Sequence, residues 1–593
     1  MIKKKGKGNW DQSQKTQETP IKVFGKRRLI SFLLVMKVLV VLIFLLSPGI
    51  ANAQWANTYG GPGDEGADSI QQTTDGGYIV AGGTNSFGAG GNDFWVLKLN
   101  PDGTVAWQKT YGGPEDEEGA SSIQQTRDGG YIVAGGTTSF GAVDGDSWVL
   151  KLHPNGTVAW QRTYGGTGDD IAGHIQQTSD GGYIMAGGTN SFGAGGSDFW
   201  VLKLNPFGGV AWQKTYGGTG DEGASSIQQT TDGGYIVAGE TNSFGAGGRG
   251  DFWVLKLNPD GTVDWERTYG GESDDYAFAI RQTSDGGYIV AGVTYSFGTG
   301  GDIMVLKLNP DGTVAWQKTY GGSDWDWAYS YSIWQTTDGG YIVAGETKSF
   351  GAGNTDILIL KLDASGNIVW QRTYGGGGFE SASPIQQTTD GGYIVAGRTD
   401  SFGAGGRGDF WVLKLDVNGE IPDCAPMGTS SAVANNINVS TSPSSATVTL
   451  TSASSSRTNA TVTDTHVTAG VVCQVIRPDL VVSRLTTPFF GRTGREIRIV
   501  DTKSNNGTIA AATSRTGFYL STDTTLDPGD TRLGERAVPA LSAGASSTGT
   551  TWVTIPPGTA PGTYYIIARA DDNDDVTEIN ENNNERFRVI RIR

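Results

Sequence analysis

Between Tyr320 and Thr336 the chain reads YGGSDWDWAYSYSIWQT, and this stretch carries the side chains best suited to holding a ligand. Trp325, Trp327 and Tyr329 offer flat π-faces that stack on sugar rings or anchor a partner protein. Asp326 stands among them as an acceptor for hydroxyl groups, with Asp324, Tyr331 and Trp334 close by in sequence. Trp325, Asp326, Trp327 and Tyr329 are therefore the candidate binding residues. The competing reading is local packing against neighbouring structure.

Other chemistry is thinly supplied. The 593 residues include 3 His and 2 Cys, too few for most zinc, haem or iron–sulfur sites. No G-x-S-x-G, H-E-x-x-H or EF-hand spacing occurs. G-x-G-x-x-G appears at Gly61–Gly66 and Gly218–Gly223, but in loops between strands rather than between a strand and a helix. Acidic pairs recur at Asp64/Glu65, Asp116/Glu117, Asp169/Asp170, Asp221/Glu222 and Asp274/Asp275. Their repetition at one position predicts a structural task, capping loop N–H groups, with weak Ca2+ binding as the alternative. No catalytic residue, resident metal or cofactor is assigned. A net charge of −17 argues against nucleic acid, which needs a Lys/Arg surplus.

The elements that must position the aromatics are repeats. Trp-x-x-Thr-Tyr-Gly-Gly begins at Trp55, Trp107, Trp160, Trp212, Trp265, Trp316 and Trp370, and Asp-Gly-Gly-Tyr recurs in step from Asp75 to Asp390. Each unit of about 52 residues reads as four short strands broken by Gly- and Pro-rich turns, without helical periodicity. Seven such units predict an all-β fold, a seven-bladed β-propeller of four-stranded antiparallel blades over residues 54–421. The repeats start at a fourth strand (Trp55) and end after a third (Asp409–Leu415), with Asp423 where an eighth Trp would fall. The strand at Trp55 should complete the last blade and close the ring. Residues present in every blade serve blade geometry, so a ligand site belongs where one blade departs. The stretch Tyr320–Thr336 does, being two residues longer than its counterpart Tyr59–Thr73.

The run DFWVLKLNPDGTVAWQKTYGG, with IQQTxDGGYIVAGxTxSFG, resembles the bacterial β-propeller repeat often called SBBP and is more distantly similar to kelch units. The resemblance implies a propeller, usually outside the cytoplasm, and no shared activity. Residues 478–593 alternate as strands between Gly, Pro and Asn turns, as in an Ig-like β-sandwich. They resemble CARDB, a cell-adhesion-related domain, through PDLVV (Pro478–Val482), FYLS (Phe518–Ser521), Gly562-Thr563-Tyr564 and Glu578-x-x-Glu581-x-Asn583-Asn584. That resemblance implies an adhesive or spacer module.

Two segments lie outside these units. Residues 1–53 place basic residues before an apolar run (29–46) and then Ala51-Asn52-Ala53, the order of an export signal cleaved before Gln54. Uncleaved, residues 29–46 would be the one membrane contact. Cleavage would leave a net charge of −25. Residues 422–477 form a Ser/Thr-rich tract read as a linker, with Cys424 and Cys473 expected to pair as a disulfide in an exported chain. The reading is a secreted or cell-surface, non-catalytic binding or adhesion protein whose propeller displays a site for glycan or surface protein. The alternatives are an extracellular polysaccharide-acting enzyme with its site in the propeller channel, and a structural component of the cell envelope.

Overall fold

A computed structural model describes residues 54–593 except 142–143, 246–249, 329–331, 404–407, 508 and 579–582; between 423 and 476 it describes only the backbone of seven short strands. The expected export signal, Tyr329 and Cys424 lie outside the described residues. Among the described residues there is no helix, and none long and apolar enough to cross a membrane.

The repeats fold into seven antiparallel sheets. In blade one the strands run, from the channel outward, Glu65–Gln72, Tyr78–Thr84, Asp93–Leu99 and Val105–Gly112. Blade two takes its channel strand from Ser122–Gln125, and blades three to five from Asp170–Gln177, Glu222–Gln229 and Asp275–Gln282. Blade six splits this strand into Asp326–Trp327 and Ile333–Gln335, and blade seven begins with Glu380–Gln387. The third strand, DFWVLKL, is buried along its whole length, because neighbouring blades cover both faces. Lys98, which alternation alone would set opposite the apolar face, is buried too, its Nζ 3.0 Å from both Asp75 Oδ2 and the Leu99 carbonyl. The same Lys–Asp pair recurs in every blade, ending with Lys414 and Asp390.

Outer strands lock each blade to the next. The Tyr59 hydroxyl donates to the Gly103 carbonyl at 2.6 Å, and the Trp55 indole N–H donates to Pro101 in the same turn. Gly103 has φ +80°, and an added Cβ would meet the Trp55 ring at 2.9 Å, so this turn admits glycine alone. Near the channel, Gln125 Oε1 accepts the Thr74 N–H of the preceding blade, and this bond repeats at all seven boundaries. The last of them, Thr389 N–H to Gln72 Oε1 at 2.9 Å, joins blade seven to blade one. Closure follows the expectation from sequence: Trp55–Tyr59 pairs antiparallel with Asp409–Leu415, with Trp55 facing Lys414 and Tyr59 facing Phe410.

The expectation of a linker at 422–477 is corrected by the strand pairing. After blade seven's third strand the chain circles the ring in reverse, adding a fifth, outermost strand to each blade. Met427–Gly428 pairs with blade six, Val433–Asn436 with blade five, and Ser440–Pro443 with blade four. Thr447–Leu450, Ser454–Arg457 and Thr461–Asp464 continue through blades three, two and one, and Gly470–Gln474 ends on Trp55–Tyr59. A tract poor in apolar residues can do this because the pairing uses backbone groups, and an outer edge needs no buried side chains.

Residues 477–593 form a three-stranded sheet (Leu480–Thr486, Glu496–Asn505, Ser546–Thr554) and a five-stranded one. Leu480, Ile499, Phe518, Ile566 and Ala568 share one core, while Ile567, which alternation sets on the opposite face, is buried as well. The motif residues hold this fold together. Asn583 Nδ2 donates to Asp479 at 2.9 Å, and Glu578 accepts the Leu480 N–H.

Candidate functional site

The stretch Tyr320–Trp327 leaves blade five's outer strand and enters blade six on the face that also carries the SFGAGG-type loops. There Trp325 is 46% exposed and stacks on half-buried Trp327, with ring centroids 5.6 Å apart and planes 12° from parallel. Tyr295 of blade five meets Trp327 edge-on at 6.4 Å. The Lys348 ammonium lies 4.2 Å from the Trp325 ring centroid, and Asp324 is exposed beside it. The result is a pair of stacked indoles with the Lys348 ammonium over the Trp325 ring and an exposed carboxylate next to it in the chain. Such a surface can stack an apolar sugar face while Lys348 and Asp324 bond its hydroxyls.

Two of the four candidate residues, Trp325 and Trp327, are brought together. Asp326 is not with them: it is fully buried and accepts the Gly322 N–H (2.8 Å) and the Ser349 hydroxyl (2.7 Å). Its place among the binding residues is therefore corrected to a structural one. Period-2 alternation was the signal available, since a strand sends residue 326 to the face opposite 325 and 327. Trp334 also parts from the plate and lines the central channel, where Arg281 stacks on it at 4.8 Å. Tyr295 and Lys348 come from other loops, and no sequence spacing pointed to them.

The acidic pairs act as caps. Glu65 accepts the Gly61 N–H (2.9 Å) and the Thr84 hydroxyl (2.9 Å), while Asp116 accepts the Asn92 N–H (2.9 Å) of the preceding blade. The second member of each pair also meets the aspartate that opens the preceding blade's third strand. A Cβ on Gly112 would lie 1.3 Å from Asp93 Oδ1 and 3.1 Å from Glu117 Oε2, and both oxygens are buried without a hydrogen-bond partner. The equivalent Asp302 and Asp326 converge over Gly321. Burial pushes the Asp93 carboxyl up to about 6. Burial foremost, with the charge of Asp93 adding to it and hydrogen bonds opposing it, pushes Glu117 up to about 7. Burial and then the charge of Asp326 push Asp302 up to about 7. A proton shared between the two carboxyls satisfies such a pair. Calcium takes about six to eight oxygens, more than a pair supplies. No group of three or more His, Cys, Asp or Glu able to hold a metal occurs among the described residues.

Residues 477–588 match the family model CARDB. Residues 73–105, 230–264 and 283–314 match the model described as a domain of unknown function (DUF5122) beta-propeller. Both resemblances read from the sequence hold, and neither model describes a catalytic family. No curated protein matches. Among solved structures, a CARDB domain of Pyrococcus furiosus in complex with di-metal ions is 22% identical, with 20% of this chain and 90% of that one covered and a TM-score of 0.16. A solution structure of a CARDB domain from the same organism is 24% identical over 20% and 95%, also with a TM-score of 0.16. A beta-glucosidase from Listeria innocua in complex with glucose is 18% identical over 20% of this chain and 16% of that one, with a TM-score of 0.15.

Proposed function

We propose that the chain is an exported, non-catalytic surface protein whose propeller presents the Trp325–Trp327 plate to a glycan, the CARDB-like sandwich serving as adhesive foot or spacer. The observation that carries this reading is an exposed Trp325 stacked on Trp327, in the blade whose entry loop departs from the others. A buried structural Trp, such as Trp95, is fully covered instead. Among the described residues, the channel cavity is lined by carboxamides, His174, Arg281, Trp334 and aliphatic side chains and by no carboxylate, which favours binding over glycosidic cleavage by paired acids. The full chain should be retained on at least one member of a polysaccharide panel without releasing reducing sugar. Trp325→Ala should weaken retention roughly tenfold, the loss expected for one stacking residue. Unchanged retention, or sugar release, would overturn the reading.

The belt strengthens the expectation of a Cys424–Cys473 disulfide. Cys473 pairs with Ala56 on blade seven, and Met427, three residues after Cys424, pairs on adjacent blade six. A bond between them would clasp the belt end to end. Intact mass after alkylation, with and without reduction, reads it directly; two alkylated thiols in the unreduced protein would rule it out.

A further inference from the structure

The chain divides its charge unevenly. Residues 54–476 hold 20 Lys or Arg against 45 Asp or Glu, whereas residues 477–593 hold 14 of each. Within that neutral sandwich the basic residues gather in two places. Residues 480–495 and 586–593 contain seven arginines and no acid, with Glu496 and Glu585 at their borders.

The fold joins these two segments into one edge. Phe490–Gly491 pairs parallel with the last strand, Glu585–Ile592, which sets Phe490 beside Arg591. The strand Leu480–Thr486 runs along the same edge, where Arg586 Nη1 donates to the Ser483 carbonyl (2.5 Å) and Arg588 Nε to the Leu485 carbonyl (3.1 Å). Arg484, Arg492 and Arg495 are exposed, and so are Arg586, Arg588, Arg591 and Arg593. Seven like charges gathered on one edge repel one another, a cost that an anionic partner removes. At physiological ionic strength charges are screened within about 8 Å, so this edge answers to its own arginines rather than to the net charge of the propeller.

Aromatic rings share the edge. Phe489, Phe490 and Phe587 are all exposed. The Arg593 guanidinium lies 3.6 Å from the Phe490 ring centroid, and that of Arg591 lies 5.7 Å from the centroid of Phe489. Such stacking fixes the plane of a guanidinium and uses none of its N–H donors. Arg586 and Arg588 tie strands together through carbonyls, whereas among the described residues the forks of Arg591 and Arg593 meet no acceptor. Alternation also puts Phe587, Val589 and Arg591 on one exposed face of the last strand, with Ile590 and Ile592 buried opposite. Rings and forks on one face suit a polymer that itself carries sugar faces and carboxylates. A membrane surface or a nucleic acid would need only the charge.

We propose that this arginine–phenylalanine edge docks an anionic polysaccharide, its carboxylates on the Arg591 and Arg593 forks and a sugar ring against Phe587. The proposal rests on the reading of the sandwich as an adhesive foot and is independent of the Trp325–Trp327 plate. Retention of the full chain on immobilised polygalacturonate tests it, with the methyl-esterified polymer as the uncharged control. Retention is expected at about 0.15 M salt, should vanish near about 1 M as screening tightens, and should be absent on the ester. Arg591→Gln combined with Arg593→Gln should weaken it roughly tenfold or more, as loss of charge-assisted contacts does. Phe587→Ala should weaken it by a smaller factor, and Trp325→Ala should leave it unchanged. These side chains are exposed, and an unchanged thermal midpoint shows that each variant is folded. No retention on polygalacturonate, or wild-type retention by the double arginine variant, would overturn the proposal. So would tighter binding to phosphatidylglycerol vesicles or duplex DNA than to polygalacturonate. A loss in the arginine variant confined to neutral polymers would keep the foot and remove its anionic partner.

Discussion

The boundary between blades one and two and the boundary between blades five and six come from one template but end in different chemistry. At the first, Ser69 and Gln71 both accept N–H groups across the gap, and the strands are stitched from the channel outward. At the second, Ala279 and Arg281 stand in those places, Trp325 and Trp327 crowd the loop above, and Trp334 fills the channel below. What survives at both is the outer machinery: the tyrosine hydroxyl on the next blade's turn, the buried lysine paired with an exposed aspartate, and the converging carboxyls. In a repeat protein, sameness marks what the ring requires, and clustered departure marks where the ring has been released for another task.

The sharpest test of this contrast compares two tryptophans. Trp95 is fully buried, 5.5 Å from Phe87 and 4.7 Å from Phe410 across the blade boundary. Trp95→Ala should cost about 3–5 kcal/mol in chemical denaturation. Trp325→Ala should stay within about 0.5 kcal/mol, as at an ordinary surface site. Equal losses would return Trp325 to the core and remove the plate. A smaller effect separates the two stitches. Gln71→Leu leaves the Gln125 N–H without its acceptor and should destabilise by about 1–3 kcal/mol, whereas Arg281→Gln restores the stitch to Gln335 and should be neutral or stabilising by up to about 1.5 kcal/mol. Destabilisation by Arg281→Gln would mean that the arginine is itself the structural plug.

The smallest difference is expected where both boundaries are alike. Asp93 loses its proton near 3.8 when unfolded and near 6 when folded, so the folded chain holds the extra proton between those values. Its contribution is complete below the lower value and lost as pH rises through the upper one. Glu117 and Asp302 extend the window to about 7. Asp128 works in the opposite sense: burial is outweighed by hydrogen bonds from Thr126, Lys151 and Gly130, which hold it at about 2, so its contribution is lost only as pH falls from 3.8 towards 2. Thermal midpoints should therefore fall from pH 4 to pH 7.5. Asp93→Asn and Asp302→Asn should flatten that slope to similar extents; a slope untouched by both would show that the pairs share no proton.

Much of this was legible in the residues. The two repeat markers and the period-2 strands fix the blade, and the phase of the repeat, beginning on a fourth strand, fixes how the ring closes through Trp55. The aromatic departure of blade six could also be read, because Trp325 and Trp327 break a pattern set by six other copies. The belt could not. Its strands pair through backbone groups at an outer edge, so Ser440–Pro443 or Thr447–Leu450 need carry no burial pattern. Nor could the contact of Arg281 with Trp334, since the two lie 53 positions apart and meet only because the ring sets equivalent positions of adjacent blades side by side.

The sequence by itself thus determined the unit, its number and its mode of closure, because these rest on local alternation and on tandem repetition. Tertiary structure alone decided which unusual residues share a site. It sent Trp325 and Trp327 to one face and Trp334 to the channel, turned Asp326 inward, and set Arg281 against Trp334. The physical reason is that strand geometry parts neighbours along the chain while the closed ring unites residues one repeat apart.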